Sequence, residues 1–286
     1  MMYLVLSMLS SAAIMVVFKL FERYRIVTLD AIVVNYGVAA GLSFALDPSG
    51  IGMHEAIHEA WFGNALIMGV LFISLFNVIG LSAQRIGVSV TTVANKMSLV
   101  IPVLYAILFL GESWGFFKIA GLIVALVAVL LSTRKSKQEP IDRRYMSFPL
   151  IVFIGSGFID AFFKYNQVHT LGNNGLEPFT GWIFLTAGTL GLLVWIYRSV
   201  FLKKLPARNA VLGGIMLGIP NYFSVYFLLK ALSMDGLESS VVIPINNMAI
   251  VALGAIAGVL LFQEKLNRWN YIGIGLCFVS ILLIGM

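Results

Sequence analysis

The sequence predicts an all-α membrane protein whose ten transmembrane helices form two inverted five-helix repeats. Three observations support this fold class. The chain is 60% hydrophobic and only 11% charged, whereas soluble domains are about a quarter charged and under half apolar. Ten apolar runs follow one another along the chain, separated mostly by short connections. The second five runs share features with the first five, which indicates a duplicated architecture.

Each apolar run is close to the length of about 20 residues that an α-helix needs to cross a bilayer. The first run begins without a basic segment and ends in Lys19, so we expect a spanning helix and not a cleavable signal peptide. The predicted spans are Tyr3–Leu20, Thr28–Leu46, Phe62–Ser82, Val88–Leu110, Gly115–Thr133, Ser147–Gln167, Phe179–Tyr197, Ala210–Leu232, Glu238–Phe262 and Trp269–Gly285.

The longest polar stretch divides the chain into two halves. It is rich in Lys and Arg and falls between the fifth and sixth spans. We therefore expect one five-helix repeat in residues 1–133, a basic linker in 134–146 and a second five-helix repeat in 147–286. Because each half has an odd number of spans, the second half enters the membrane from the opposite side, which makes the repeat an inverted one.

Pairs of like residues recur at a single spacing between the two halves. The pairs are Glu112 with Glu264, Gly121 with Gly273, and Asn95 with Asn247. The two glutamates open the last span of each half. A carboxylate there stabilises the positive end of a helix, so we interpret both as structural caps.

Basic residues concentrate on one side of the predicted topology. The connections on the side of residues 134–146 hold most of the Lys and Arg, whereas Lys118 and Lys230 lie near helix ends on the side of Met1. By the positive-inside rule the linker is cytoplasmic and both termini face outside. The net charge of +6 therefore reflects membrane orientation and not nucleic-acid binding.

Short motifs are shared with one known family. Phe18-Lys19 and Phe163-Lys164 close the first span of each half, and the stretch Val90–Pro102 is followed by Gly111-Glu112 at the fifth span. In their order and spacing these residues resemble the EamA-type branch of the drug/metabolite transporter superfamily over nearly the whole chain. The resemblance implies a multi-pass transporter of the bacterial inner membrane, which exports or exchanges small solutes through a central cavity.

The resemblance has two departures. Members of that family usually keep both termini in the cytoplasm, whereas the charge pattern here predicts the opposite orientation. Small members also carry an essential Glu inside the first helix, and the first span of this chain has none. Proton coupling through such a residue is therefore not carried over.

Ionisable residues inside predicted spans are the candidates for a transport site, because charges are costly in a bilayer and are retained mainly for function. Asp160 and Lys164 lie on one face of the sixth span, four residues apart. We expect Asp160 to exchange protons, with Lys164 keeping it ionised and contacting substrate. The alternatives are a structural ion pair and a Lys164 side chain that reaches the membrane surface.

Lys96 lies near the middle of the fourth span, beside Asn95. A lysine at that depth cannot easily reach the membrane surface. We expect it to bind a carboxylate or phosphate group of the substrate, with Asn95 in the same site. The alternative is that Lys96 is a structural partner of Asp160.

Asparagines follow prolines in two spans. Asn246 and Asn247 follow Pro244 in the ninth span, and Asn221 and Tyr222 follow a proline in the eighth. Because a proline removes a backbone donor and broken helices form binding sites in transporters, we expect an interruption of the ninth span and substrate contacts from these residues. Satisfaction of the freed carbonyls, or helix contacts alone, are the alternatives.

One motif suggests a different class of function. His54, Glu55 and His58 match the H-E-x-x-H pattern of zinc hydrolases, and His169 follows on the same side of the predicted membrane. The preferred interpretation is a short helix on the membrane surface, with Trp61 on its apolar face. A membrane-embedded zinc hydrolase is the alternative.

The predicted function is secondary transport of small anionic or zwitterionic metabolites, such as amino or organic acids, by alternating access and without an enzymatic reaction. A multidrug exporter is the alternative within transport. The sequence contains no nucleotide-binding loop or cysteine cluster, so we expect no cofactor and no metal. The expected partners are a small-molecule substrate and the lipid bilayer, without nucleic acid. We expect a monomer and leave a homodimer open.

Overall fold

The computed structural model describes residues 2–47, 53–85, 88–132, 145, 147–171, 175–201, 203, 208–234, 238–263 and 267–284. Its regular structure is helical. The helices are α1 (Met2–Arg23), α2 (Thr28–Ala45), α3 (Met53–Ala56), α4 (Phe62–Arg85), α5 (Val88–Met97), α6 (Val100–Phe109), α7 (Phe116–Ser132), α8 (Ser147–His169), α9 (Leu176–Phe201), α10 (Arg208–Leu232), α11 (Ser239–Phe262) and α12 (Arg268–Ile284). The predicted linker lies outside the described residues, apart from Tyr145.

The described helices include eight candidate membrane spans that are long and apolar enough to cross a bilayer. They correspond to the first four predicted spans and to the sixth through the ninth. The predicted fifth and tenth spans are the shorter apolar helices α7 and α12, of 17 residues each. The protein is therefore a multi-pass membrane protein, and the all-α class is confirmed.

The fourth span is broken in its middle. Helix α5 ends at Met97 and helix α6 begins at Val100. Pro102 has no N–H to donate to the carbonyl of Ser98, and its ring crowds that carbonyl. The chain instead makes a tight turn in which the Ile101 N–H donates to the Ser98 carbonyl at 2.9 Å.

The chain forms two compact units. Unit 1 consists of Met1–Ser74 and Tyr165–Lys230, and unit 2 consists of Leu75–Lys164 and Ala231–Met286. Each unit combines segments from both halves of the sequence. The boundaries between units therefore differ from the division at the basic linker, which remains a prediction about the repeat.

In unit 1, helix α2 packs antiparallel against helix α9. A Cβ atom at Gly188 would lie 3.4 Å from the Cβ atom of Tyr36, an ordinary van der Waals distance, so the two helices meet at this point. At one end of this contact the buried Asp30 carboxylate accepts from the Arg198 guanidinium at 3.2 Å and from Trp195 Nε1 at 3.1 Å. The pairing fixes the register of the two helices.

In unit 2, helix α7 packs antiparallel against helix α12, and helix α11 covers both. A Cβ atom at Gly273 would lie 2.2 Å from the Ser132 amide nitrogen, and one at Gly121 would lie 2.6 Å from Ile284 Cγ1. Only glycine fits at these two contacts. The surrounding core consists of Leu99, Ala125, Ala128, Val129, Met248, Val251, Ala252 and Cys277.

Candidate functional site

Lys96 lies in the last turn of α5, immediately before the break in the fourth span. Its ammonium donates to the Oδ1 atom of Asn247 on α11 at 3.1 Å. A cation is favoured at this end of a helix because the backbone carbonyls there carry partial negative charge. Lys96 is half-buried, so it is held in place and still accessible from one side.

Asp160 on α8 is the acidic group that interacts electrostatically with Lys96. It is also half-buried. This interaction between helices agrees with the alternative interpretation, in which Lys96 is the partner of Asp160. Lys164, which was predicted to act on Asp160, is buried and interacts electrostatically with Glu112. The opposite charges of Lys96 and Asp160 therefore form the centre of the candidate site.

Close approach of α8 to the broken span brings these groups together. Asn95 Nδ2 donates to Ser156 Oγ at 2.7 Å, one turn before Asp160. The next residue, Gly157, lies against the break, since a Cβ atom there would be 2.8 Å from the Ser98 carbonyl oxygen and 2.4 Å from Ile101 Cδ1. Asn95 therefore holds α8 beside Lys96, and its contact with substrate stays a prediction.

The predicted interruption of the ninth span is wrong. Helix α11 continues from Ser239 to Phe262 with Pro244 inside it. Pro244 lies in the second turn, near the helix end at which proline is best tolerated. Asn247 reaches Lys96, whereas the buried Oδ1 atom of Asn246 has no hydrogen-bond partner among the described residues. Asn246 therefore keeps an acceptor available for a ligand or a water molecule.

Asn221 and Tyr222 belong to unit 1, whereas the other predicted site residues belong to unit 2. Asn221 Nδ2 donates to Asn35 Oδ1 at 3.1 Å. Tyr222 is fully buried, and its ring stacks on that of Tyr226 with 5.6 Å between centroids. These contacts fit a role in holding α10 to α2 as well as they fit a cavity lining.

The ion pair of Glu177 and Lys230 was not predicted, and neither was that of Asp30 and Arg198. Glu177 in the first turn of α9 is 3% exposed, and its Oε1 atom lies 3.2 Å from the Lys230 ammonium of α10. The predicted seventh span began at Phe179, which left Glu177 in a polar connection. Hydropathy therefore gave no indication that this carboxylate is buried.

Glu112 caps a helix, although not the one that follows it. Its carboxylate accepts from the backbone N–H groups of Ser239 at 2.9 Å and Ser240 at 2.8 Å, at the start of α11. Burial raises the pKa of Glu112, but the hydrogen bonds from the two serines outweigh burial and lower that pKa below its usual value. Its counterpart Glu264 lies outside the described residues.

The zinc-hydrolase motif is not assembled as a metal site. Helix α3 ends at Ala56, so His54 and His58 do not share a continuous helix. Their exposed rings lie 5.4 Å apart in an edge-to-face arrangement. Among the described residues, no group of three or more His, Cys, Asp or Glu side chains is placed to hold a metal ion. Trp61 is buried, but it lies beyond the end of α3, so the predicted surface helix does not extend to it.

Comparison with known proteins gives a relative and a fold. No family model matches the sequence. A protein of known crystal structure superposes with a TM-score of 0.78 at 12% identity, covering 99% of this chain and 94% of that chain, which shows a common fold. An uncharacterized protein of Haemophilus influenzae is 30% identical over 278 residues, which cover 95% of this chain and 93% of that protein. The chain belongs to the same family as this Haemophilus influenzae protein.

Proposed function

We propose that the protein is a secondary transporter of small organic metabolites that carry a carboxylate, including zwitterions such as amino acids. Transport proceeds by alternating access between two inverted repeats, as in the EamA-type transporters that the sequence resembles. Asp160 is the proton-coupling group. The observation that carries the proposal is the placement of two opposite charges, Lys96 and Asp160, on helices that the 2.7 Å hydrogen bond between Asn95 and Ser156 holds together at the break of a membrane span.

A charge pair at this depth is a poor stabilising device. Desolvation of two ions inside a membrane span offsets most of their mutual attraction, and an apolar pair of similar volume is often as stable. Ionisable residues inside membrane spans are therefore expected mainly where a solute or ion passes. Lys96 is additionally held by a polar amide at 3.1 Å, which orients its ammonium without neutralising it.

Contacts inside unit 2 support the inverted repeat. The interval that separates Gly121 from Gly273 also separates Ser132 from Ile284. Gly121 meets Ile284, and Gly273 meets Ser132. A two-fold relation between α7 and α12 generates such pairs, because each contact then occurs twice with the roles exchanged.

Unit 1 supports the same relation independently. Tyr36 and Gly188 are separated by that same interval, and they meet each other where α2 crosses α9. A residue that touches its own counterpart lies on a two-fold axis. The helix pairs α2–α9 and α7–α12 are both counterparts in the predicted repeat, which is the arrangement that an inverted duplication produces.

The charges suggest how substrate and proton binding are linked. A substrate carboxylate bound by Lys96 takes over the positive charge that otherwise balances Asp160. A carboxylate that loses its counter-charge in a site of low dielectric is neutralised by taking up a proton. Substrate and proton then bind together, and the linkage is reciprocal.

The test begins with a thermal-unfolding screen of the purified protein against amino acids, organic acids and apolar drug cations, since a ligand of the folded state raises the unfolding temperature. Carboxylate compounds should stabilise the wild type and not Lys96→Met, and they should exchange in proteoliposome counterflow. Loss of a carboxylate contact to a buried cation costs roughly 2–5 kcal/mol of binding free energy. Stabilisation by apolar cations alone, unaffected by Lys96→Met, would contradict the proposal and favour a drug exporter.

A further inference from the structure

We propose that unit 1 contains a binding site for organic ammonium ions, formed by the Glu177 carboxylate and the ring of Tyr226, which the Lys230 ammonium occupies in this structure. The inference concerns residues other than Lys96 and Asp160 and does not depend on the proposed transport function.

The Lys230 ammonium shows which groups form the site. It lies 3.2 Å from Glu177 Oε1 and 5.5 Å from the centroid of the Tyr226 ring. A carboxylate combined with an aromatic face is the arrangement that proteins use to bind ammonium groups, including quaternary ones. The lysine side chain is in effect an alkylammonium ligand tethered to the site that it fills.

Neighbouring rings extend the aromatic surface. Tyr222 stacks on Tyr226 with 5.6 Å between centroids, and Tyr3 stacks on Phe227 at 6.2 Å. Tyr3 also interacts electrostatically with Lys230. The ring that faces the ammonium is that of Tyr226, and the rings of Tyr222 and Phe227 pack against it.

The local charge also favours a cation. Asp47, which follows α2, interacts electrostatically with Tyr222, as Glu177 does. Two carboxylates thus lie near Tyr222 at this end of unit 1.

The two side chains of the ion pair differ in exposure, which indicates that Glu177 stays in place and Lys230 leaves when a ligand binds. The Glu177 side chain is 4% exposed and the Lys230 side chain is 32% exposed. The Glu177 carboxylate is buried, so it is costly to leave it without a positive charge beside it. Lys230 lies in the last turn of α10 on a flexible four-carbon chain, so its ammonium can move into water while another cation takes its place. The exchange leaves the buried charge balanced, which is why the ligand is a cation and not an anion.

Helix α2 fixes the carboxylate end of the site. Ser43 Oγ donates to the Glu177 backbone carbonyl at 2.7 Å and shares a hydrogen bond of 2.8 Å with Thr180 Oγ1. The first turn of α9 is therefore held in place when Lys230 leaves. A preorganised carboxylate loses less entropy on binding a ligand than a mobile one.

The experiment measures release of Lys230 by a probe cation. Purified protein is acetylated with an amine-reactive ester in increasing tetramethylammonium chloride, with sodium chloride holding the ionic strength constant, and modification of each lysine is followed by peptide mass spectrometry. Tetramethylammonium has no N–H and does not consume the reagent. Lys118, which pairs with the more exposed Glu238, is the matched control.

We expect tetramethylammonium to accelerate Lys230 acetylation saturably by about fivefold or more, since about fivefold corresponds to an ion-pair free energy of about 1 kcal/mol. Lys118 should be unaffected. In Glu177→Gln, Lys230 should react fast without the probe, and Tyr226→Leu should weaken the probe's effect while the ion pair persists. A Lys230 rate independent of tetramethylammonium in the wild type, or an equal acceleration of Lys118, would overturn the proposal.

Discussion

A methyl group added at Gly157 is expected to disturb the candidate site through α8. The Cβ atom of an alanine would lie 2.4 Å from Ile101 Cδ1, 2.7 Å from Ile101 Cβ and 2.8 Å from the Ser98 carbonyl oxygen. Carbon atoms pack best at about 3.5–4.0 Å, so the two contacts with Ile101 overlap by roughly 1 Å. Rotation of Ile101 removes the first contact, but the other two involve atoms fixed to the backbone.

The helix must therefore shift, and overpacking of this kind costs about 1–3 kcal/mol. A shift also moves Ser156 away from Asn95 and Asp160 away from Lys96. We expect Gly157→Ala to unfold about 2–8 °C below the wild type and to lose counterflow activity.

Gly155→Ala is the matched control on the same helix. Its Cβ atom would approach Leu75 Cδ1 at 2.8 Å, and that methyl group is the far end of a flexible side chain. Because alanine also favours a helix by up to about 1 kcal/mol over glycine, we expect stability equal to or above that of the wild type. Equal unfolding temperatures and equal counterflow for Gly157→Ala and the wild type would refute the close contact between α8 and the broken span.

Three further perturbations test other parts of the structure. Gly273→Ala should cost about 1–3 kcal/mol of unfolding free energy because of backbone overlap, whereas Gly275→Ala, with nothing within 4 Å, should not; equal effects in thermal unfolding would contradict the α7–α12 contact. The pKa of Glu112 is lowered in the folded state, so the ionised carboxylate stabilises the fold above the unfolded pKa of about 4.3, and this effect is lost as pH falls through the lower folded value. Glu112→Gln should therefore unfold at a lower temperature than the wild type at neutral pH. If the difference in unfolding temperature does not narrow in acid, this linkage is wrong. A cysteine at position 136, in a chain with Cys277→Ala, should not react with an impermeant maleimide on intact cells if the linker is cytoplasmic. Labelling from outside would show that the predicted orientation is wrong.

Hydropathy was sufficient to predict an all-α, multi-pass membrane protein, because burial in lipid requires long apolar helices whatever the tertiary contacts. It placed α8 and α10 within a few residues of their observed bounds. Hydropathy did not predict that the two prolines have different effects. Pro102 accompanies a break in the fourth span, whereas Pro244 lies inside a continuous helix. The outcome depends on position within the helix and on neighbouring helices, which periodicity does not report.

The candidate site could be predicted only in part. A charge inside an apolar run identifies Lys96 and Asp160 individually, but periodicity reports neighbours along one helix. It therefore suggested Lys164 as the partner of Asp160, whereas the electrostatic interaction of Asp160 is with Lys96 on another helix. Glu177 was missed for a related reason, because its burial comes from α2 and α10 and not from its own sequence surroundings.

Coupling of solute movement to protons through Asp160 is tested by two assays on Asp160→Asn in proteoliposomes. With a solute identified by the ligand screen, counterflow should persist, because exchange needs no net proton movement, while accumulation driven by a pH gradient should be lost. Glu59→Gln, which removes an exposed carboxylate, should behave as the wild type in both assays. Gradient-driven accumulation by Asp160→Asn at the wild-type level would show that Asp160 is not the proton-coupling group.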